Sequence, residues 1–164
     1  MMTDAHSSKV EAKLGELGLR LPSITHPIGA YVPALRMGQL VSTSGQLPML
    51  DGEIRAKGKV GAEISAEEAK DLAQLCCLNA LAAIKGVIGD LDRIERVERV
   101  VGYVASAPDF IAQPLVVNGA SELLGSVFGE RGTHVRSAVG VAVLPLGSPV
   151  EIELHVRLSP HDEY

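Results

Sequence analysis

The chain has 164 residues, of which 46% are apolar but only 3% aromatic, and its 20 acidic against 15 basic side chains leave a net charge of -5. That length suits one domain with a core of its own, built from Val, Leu, Ile and Ala without help from disulfides or metals. The acidic balance disfavours a phosphate-backbone partner, which wants a basic face, so no nucleic-acid binding is expected.

From the N-terminus, Val10, Leu14 and Leu17 recur at i, i+4 and i+7, which predicts a short amphipathic helix within 9–18, ended by Pro22. The stretch ahead of it has no apolar core of a signal peptide, and no run reaches the ~18 apolar residues of a membrane span. A cytoplasmic protein with no membrane partner is the expectation. Residues 1–24 read as a helical extension and 25–160 as a single domain. Within that domain Tyr31–Leu35 and Gln39–Ser44 read as a hairpin turning at Met37-Gly38, and 45–61 as a loop region with one short strand around Glu53.

Ser65-Ala66-Glu67-Glu68 has the form of a capping box and predicts a helix running to about Val87, with Asn79 a satisfied buried amide within its apolar stripe. Cys76 and Cys77 on it are adjacent, lack the spacing of a redox or zinc pair, and read as structural thiols, one in the core and one on its flank. Ile94–Ala105 is dense in Val and predicts a strand. A second helix is expected from near Pro114 to just before Gly129. Val135–Leu144 and Val150–Leu158 then read as a closing hairpin. Alternation sets Arg136, Ala138, Gly140 and Ala142 on one side and Glu151, Glu153, His155 and Arg157 on one side of the next strand. The small-residue row and the ionisable row are expected to lie beside each other as a subunit contact.

None of His6, His26, His134, His155 and His161 pairs at metal-ligand spacing, so no metal is expected. The Ser44-Gly45-Gln46 turn lacks the strand-to-helix setting of a nucleophile elbow. His134 and Arg136, two apart, share a strand side and suit an anion.

Ser42-Thr43-Ser44-Gly45-Gln46-Leu47-Pro48, Asn118 with Glu122, and Arg136-Ser137-Ala138-Val139 followed by Leu144-Pro145 and Val150-Glu151-Ile152-Glu153 resemble the RidA/YjgF family over residues 28–158. These are the reactive-intermediate (enamine/imine) deaminases, formerly the endoribonuclease L-PSP family. The resemblance implies an α+β chorismate-mutase-like fold, a mostly antiparallel sheet with two helices on one face. It also implies a homotrimer with sites between subunits, no cofactor, and hydrolysis of 2-imino and 2-enamino acids to 2-oxo acids and ammonia.

By matching motif, Arg136 would hold the substrate carboxylate and Glu151 would position water, and both would be catalytic; Tyr31, Ser44, Asn118, Ala138 and His134 would line the substrate pocket. The two catalytic groups are expected on adjacent paired strands.

Four departures mark a divergent branch. Gly29-Ala30-Tyr31 replaces Gly-Pro-Tyr, and Ala138 stands in place of a cysteine. The stretch between Phe110 and Asn118 is longer, and Gly132-Thr133-His134-Val135 precedes the arginine in place of Phe-Pro-Ala. Two alternatives stay open: a pathway-specific deaminase of a 2-aminomuconate-like substrate, and a non-catalytic trimer that binds small acids or acts as a chaperone.

Overall fold

A computed structural model describes residues 8–24 and 29–160. His6, His26 and His161 lie outside the described residues. The elements in chain order are α1 (Lys9–Glu16), β1 (Ala34–Met37), β2 (Leu40–Thr43), β3 (Met49–Leu50), β4 (Glu53–Ile54), α2 (Ala66–Ile88), β5 (Ile94–Ala105), α3 (Gln113–Phe128), β6 (Val135–Val141) and β7 (Val150–Leu158).

Five strands form one sheet in the order β1-β2-β7-β5-β6, antiparallel throughout except for the parallel pair β5–β6. The expected closing hairpin is therefore absent. β5 lies between β6 and β7, and α3 carries the chain from β5 across to its parallel neighbour β6. A helix between two strands is the usual sign of a parallel pair, because only a long crossover returns the chain to the same end of the sheet. The Pro145–Gly147 turn and the residues around it form a connection that spans β5 instead of a hairpin loop.

The register assigns every side chain to a face. Val100 stands opposite both Arg136 and Leu154, Gly102 opposite Ala138 and Ile152, and Val104 opposite Gly140 and Val150. Val100, Val104, Val150, Ile152 and Leu154 are fully buried, so this is the side that α2 and α3 cover. Arg136, Ala138 and Gly140 consequently face the helices. The row of small residues does not adjoin Glu151, Glu153 and His155, which project from the opposite, uncovered side with Tyr103, Ser137 and Val139.

The local signals explain the elements. Ser65 accepts the Glu68 amide at 3.1 Å and starts α2, and Gly89 ends it at φ 84°, a backbone conformation that side-chain-bearing residues avoid. Asn79 donates to the carbonyls of Met49, Leu47 and Leu75 from within the core, which anchors the β3–β4 hairpin. That hairpin turns on Asp51 (φ 54°) and Gly52 (φ 80°), an Asp-Gly pair suited to a two-residue turn. Cys76 and Cys77 are both fully buried free thiols, so neither sits on a flank, and burial pushes Cys77 up to about 12. The most apolar window of α2 has a mean hydropathy of 1.4, enough by length and composition for a membrane span, but 67% of it is buried against the sheet and its neighbours.

α1 is fastened to the body by one carboxylate. Asp92 accepts from the Lys9 and Val10 amides at 2.8 and 2.9 Å and from the Ser8 hydroxyl at 2.9 Å, and Lys85 pairs with Glu11 at 2.7 Å. Val10 and Leu14 are buried beneath it. Burial pushes the Asp92 carboxyl up, but the Lys9 and Val10 amides, the Ser8 hydroxyl and the charge of Lys9 together hold the group below its ordinary range. A carboxyl depressed in the fold stabilises it above the unfolded-state value and loses that contribution as pH falls through the folded-state value. Asp92→Ala should release α1 at a cost of about 1–2 kcal/mol. Hydrogen exchange should speed up over 9–16 alone, and wild-type protein should show the same local loosening as the pH is lowered through the acid range.

Candidate active site

Two polar clusters contain the residues singled out by sequence, one on each side of the sheet. The first is built on the edge strand β6 and on α3. Pro114, Asn118 and Ser121 fall on one stripe of α3, four and three residues apart, so each presents an oxygen to the same groove. Arg136 reaches into that groove. Its Nη1 donates to Asn118 Oδ1 at 2.7 Å and to Ser121 Oγ at 3.1 Å, and its Nη2 donates to the Pro114 carbonyl at 3.2 Å. All three acceptors are neutral.

Among the described residues no carboxylate pairs with Arg136; the nearby Glu122 of α3 is engaged by Lys70 of α2 at 2.8 Å. A half-buried guanidinium held this way is oriented but not neutralised, and the remaining charge is available to an anion. His134 joins the cluster through Ser121, its Nε2 2.9 Å from Ser121 Oγ and its Nδ1 2.6 Å from the Gly132 carbonyl. Ala138 lies on the same side, half-buried and packed against the core.

The second cluster occupies the uncovered side. Glu151 and Tyr103 are register partners, and Glu153 accepts the Tyr103 hydroxyl at 2.5 Å. That hydrogen bond, with burial behind it, pushes the Tyr103 phenol up to about 12. His155 continues the row, 4.0 Å from Glu153 and 2.9 Å from Ser42 Oγ. Glu151 is half-buried, and burial followed by the charge of Glu153 raises its carboxyl above the ordinary range.

Gly45 makes room for that carboxylate. A Cβ at position 45 would lie 1.8 Å from Glu151 Oε1, so the Ser44-Gly45 backbone runs directly against it. Mutual bonds between Gln46 and Ile152 hold this turn beside β7. Ser44 Oγ donates to the Val32 carbonyl at 2.7 Å, which ties in the segment carrying the exposed Tyr31.

The sequence-selected residues thus divide. Arg136, Asn118, His134 and Ala138 assemble in the first cluster, and Glu151 with the Ser44 turn and the Tyr31 segment in the second. Within one chain Arg136 and Glu151 do not meet. They lie on strands separated by β5, three register positions apart along it, and on opposite faces. Ser121, Tyr103 and Glu153 were not singled out as site residues by sequence. Ser121 had a signal, its spacing of three from Asn118, while Tyr103 becomes visible only once β5 is known to adjoin β7.

This arrangement has known relatives. Residues 11–158 match the family model described as "YjgF/chorismate mutase-like, putative endoribonuclease", and the chain belongs to that family, the one also called RidA/YjgF or L-PSP. It is 40% identical over 159 residues to Protein TCP17 of Trypanosoma cruzi, covering 96% of this chain and 99% of that one. Among solved structures it resembles Atu1372 of Agrobacterium tumefaciens, a protein of unknown function, at 44% identity and a TM-score of 0.85, with 92% and 93% of the two chains covered. It also resembles E. coli TdcF with bound serine, at 26% identity and a TM-score of 0.58, covering 85% of this chain and 94% of that one. The fold is the α+β, chorismate-mutase-like fold of this family.

Glu151 carries a measurable cost. A carboxyl whose folded-state pKa is raised leaves the fold fully stable below the unfolded-state value and weakens it as pH rises through the folded-state value. Glu151→Gln should therefore melt at a higher temperature than wild type at neutral pH. That advantage should vanish when both are melted below the ordinary carboxylate range.

Proposed function

We propose that this chain is a hydrolase that converts 2-imino and 2-enamino acids to 2-oxo acids and ammonia in the cytoplasm, without a cofactor, at sites formed between copies in a homotrimer. The observation that carries this reading is the half-buried Arg136, aligned by three neutral oxygens and given no carboxylate of its own. A planar guanidinium in that state is matched to a ligand carboxylate, and a 2-imino acid carries one directly beside its electrophilic carbon.

Glu151 supplies the complementary chemistry. Its raised carboxyl is suited to take a proton from water, whose oxygen adds to the C=N carbon. That proton moves to nitrogen to give a carbinolamine, its hydroxyl proton then follows to nitrogen as the C–N bond breaks and the C=O forms, and ammonia leaves the 2-oxo acid. An enamine enters the same route after protonation at its carbon. The substrate is intrinsically reactive, so holding carboxylate, carbon and water in line accounts for much of the acceleration.

Assembly between copies answers the separation of the two clusters. β6 is an edge strand carrying Arg136, and the uncovered face beside Glu151 includes the exposed Leu35, Met37, Val135 and Val139. A second copy laid on that face would cover apolar surface and bring its own edge toward Glu151. TdcF with its bound serine supports a ligand with a carboxylate next to a nitrogen-bearing carbon. The net charge of -5 argues against RNA as the substrate.

Coupling the protein to a dehydratase that releases 2-iminobutanoate tests the reading. Arg136→Lys keeps the charge but loses the fork, and should lower kcat/KM by about 10–100-fold while the circular dichroism spectrum is unchanged. Near-normal turnover by that variant would contradict it.

A further inference from the structure

We propose that Ser121 is a positioning residue that selects which edge of the Arg136 guanidinium faces the ligand, its lone pairs turned toward Arg136 by the His134 tautomer that the Gly132 carbonyl fixes. The inference rests on the reading of Arg136 as the group that holds a carboxylate, and adds to it the side chain that aims it.

With the His134 ring neutral, the donors and acceptors present set the direction of each bond. The Gly132 carbonyl can only accept, so His134 Nδ1, 2.6 Å away, must carry the ring proton. A neutral ring protonated there has a bare Nε2, so the single proton of the Ser121 hydroxyl is donated to it across 2.9 Å. Only lone pairs then remain on Ser121 Oγ, and they accept Arg136 Nη1 at 3.1 Å. The relay runs one way, from Arg136 through Ser121 and His134 into the backbone. Its far end is immobile, because Gly132 is buried against α3, where an added Cβ would meet the Leu124 carbonyl oxygen at 2.3 Å.

The same count identifies the donors left for a ligand. A guanidinium has five N–H groups. Asn118 and Ser121 take the two on Nη1, and Pro114 takes one on Nη2. Nε–H takes no acceptor among the described residues, and with the Nη2 beside it forms the side-on edge that fits a carboxylate with two parallel bonds. Without Ser121 one Nη1 hydrogen would lose its acceptor and the guanidinium would be free to turn that edge away. His134 on this account acts through Ser121, since both of its ring nitrogens are already engaged.

Two readouts on the full-length protein test the proposal. Long-range proton–nitrogen NMR of the imidazoles should show His134 protonated at Nδ1 with a bare Nε2 in wild type, and in Ser121→Ala the Nε2 signal should shift as it loses the hydroxyl's hydrogen bond while the proton stays on Nδ1. A wild-type His134 protonated at Nε2 would overturn the relay. In the coupled 2-iminobutanoate assay, Ser121→Ala should raise KM about tenfold with kcat little changed, the signature of weakened carboxylate holding, and Ser121→Thr should restore both KM and the Nε2 signal by returning the hydroxyl. A KM and an Nε2 signal in Ser121→Ala identical to wild type would sink the positioning role. A wild type that shows the relay but never turns over 2-iminobutanoate would instead count against the deaminase reading and leave Ser121 as the residue that orients Arg136.

Discussion

β5 pairs along one edge with β6 and along the other with β7, and that double register decides which functional side chains can meet. It is an interior strand, flanked on both edges and covered on one face, and its buried valines anchor the helix side of the sheet. Everything carried by β6 is thereby kept one strand away from everything carried by β7. Arg136 is directed under α3, and Glu151 is directed onto the face that no helix covers. One chain holds two separate polar clusters.

The two clusters differ in electrostatic character. On the α3 side a cation is held by three neutral oxygens but paired with no carboxylate, so its charge is oriented without being neutralised. On the uncovered side Glu151 and Glu153 share a small area with Tyr103, and burial together with mutual repulsion raises Glu151. On the proposed reading a substrate carboxylate would neutralise Arg136, and a proton taken from water would neutralise Glu151.

Much of this was legible from local chemistry, and the remainder was not, for a physical reason. The helix starting at the Ser65 cap, the strand Ile94–Ala105, the helix beginning around Pro114 and the buried amide of Asn79 all follow from spacing and capping that act within a few residues. The family was readable from the Ser44-Gly45-Gln46 turn and the segments around Arg136 and Glu151. Strand order was not, because Pro145-Leu146-Gly147 looks like a turn whether the strands it joins are neighbours or flank a third. That error put Ala138 and Gly140 on the wrong surface and set Arg136 beside Glu151. The helix between β5 and β6 was the available correction, as it implied a parallel pair. The Asp51-Gly52 hairpin is also signalled by its turn pair; the strand expected around Glu53 is its second strand, and its partner Met49–Leu50 lies in what the sequence reads as loop. Asp92 and Lys85, which fasten α1, left no local trace, since their partners lie more than seventy residues away.

The central claim is that one copy provides Arg136 and another provides Glu151. Complementation tests it most directly: Arg136→Lys and Glu151→Gln proteins, each expected at about a tenth of wild-type activity or below, are unfolded together, refolded as a mixture and assayed on 2-iminobutanoate. If sites form between copies, random assortment restores both native residues at about a quarter of them, and activity should recover to that level. Activity no higher than that of the separate variants, from a mixture shown to contain mixed oligomers, would contradict the account.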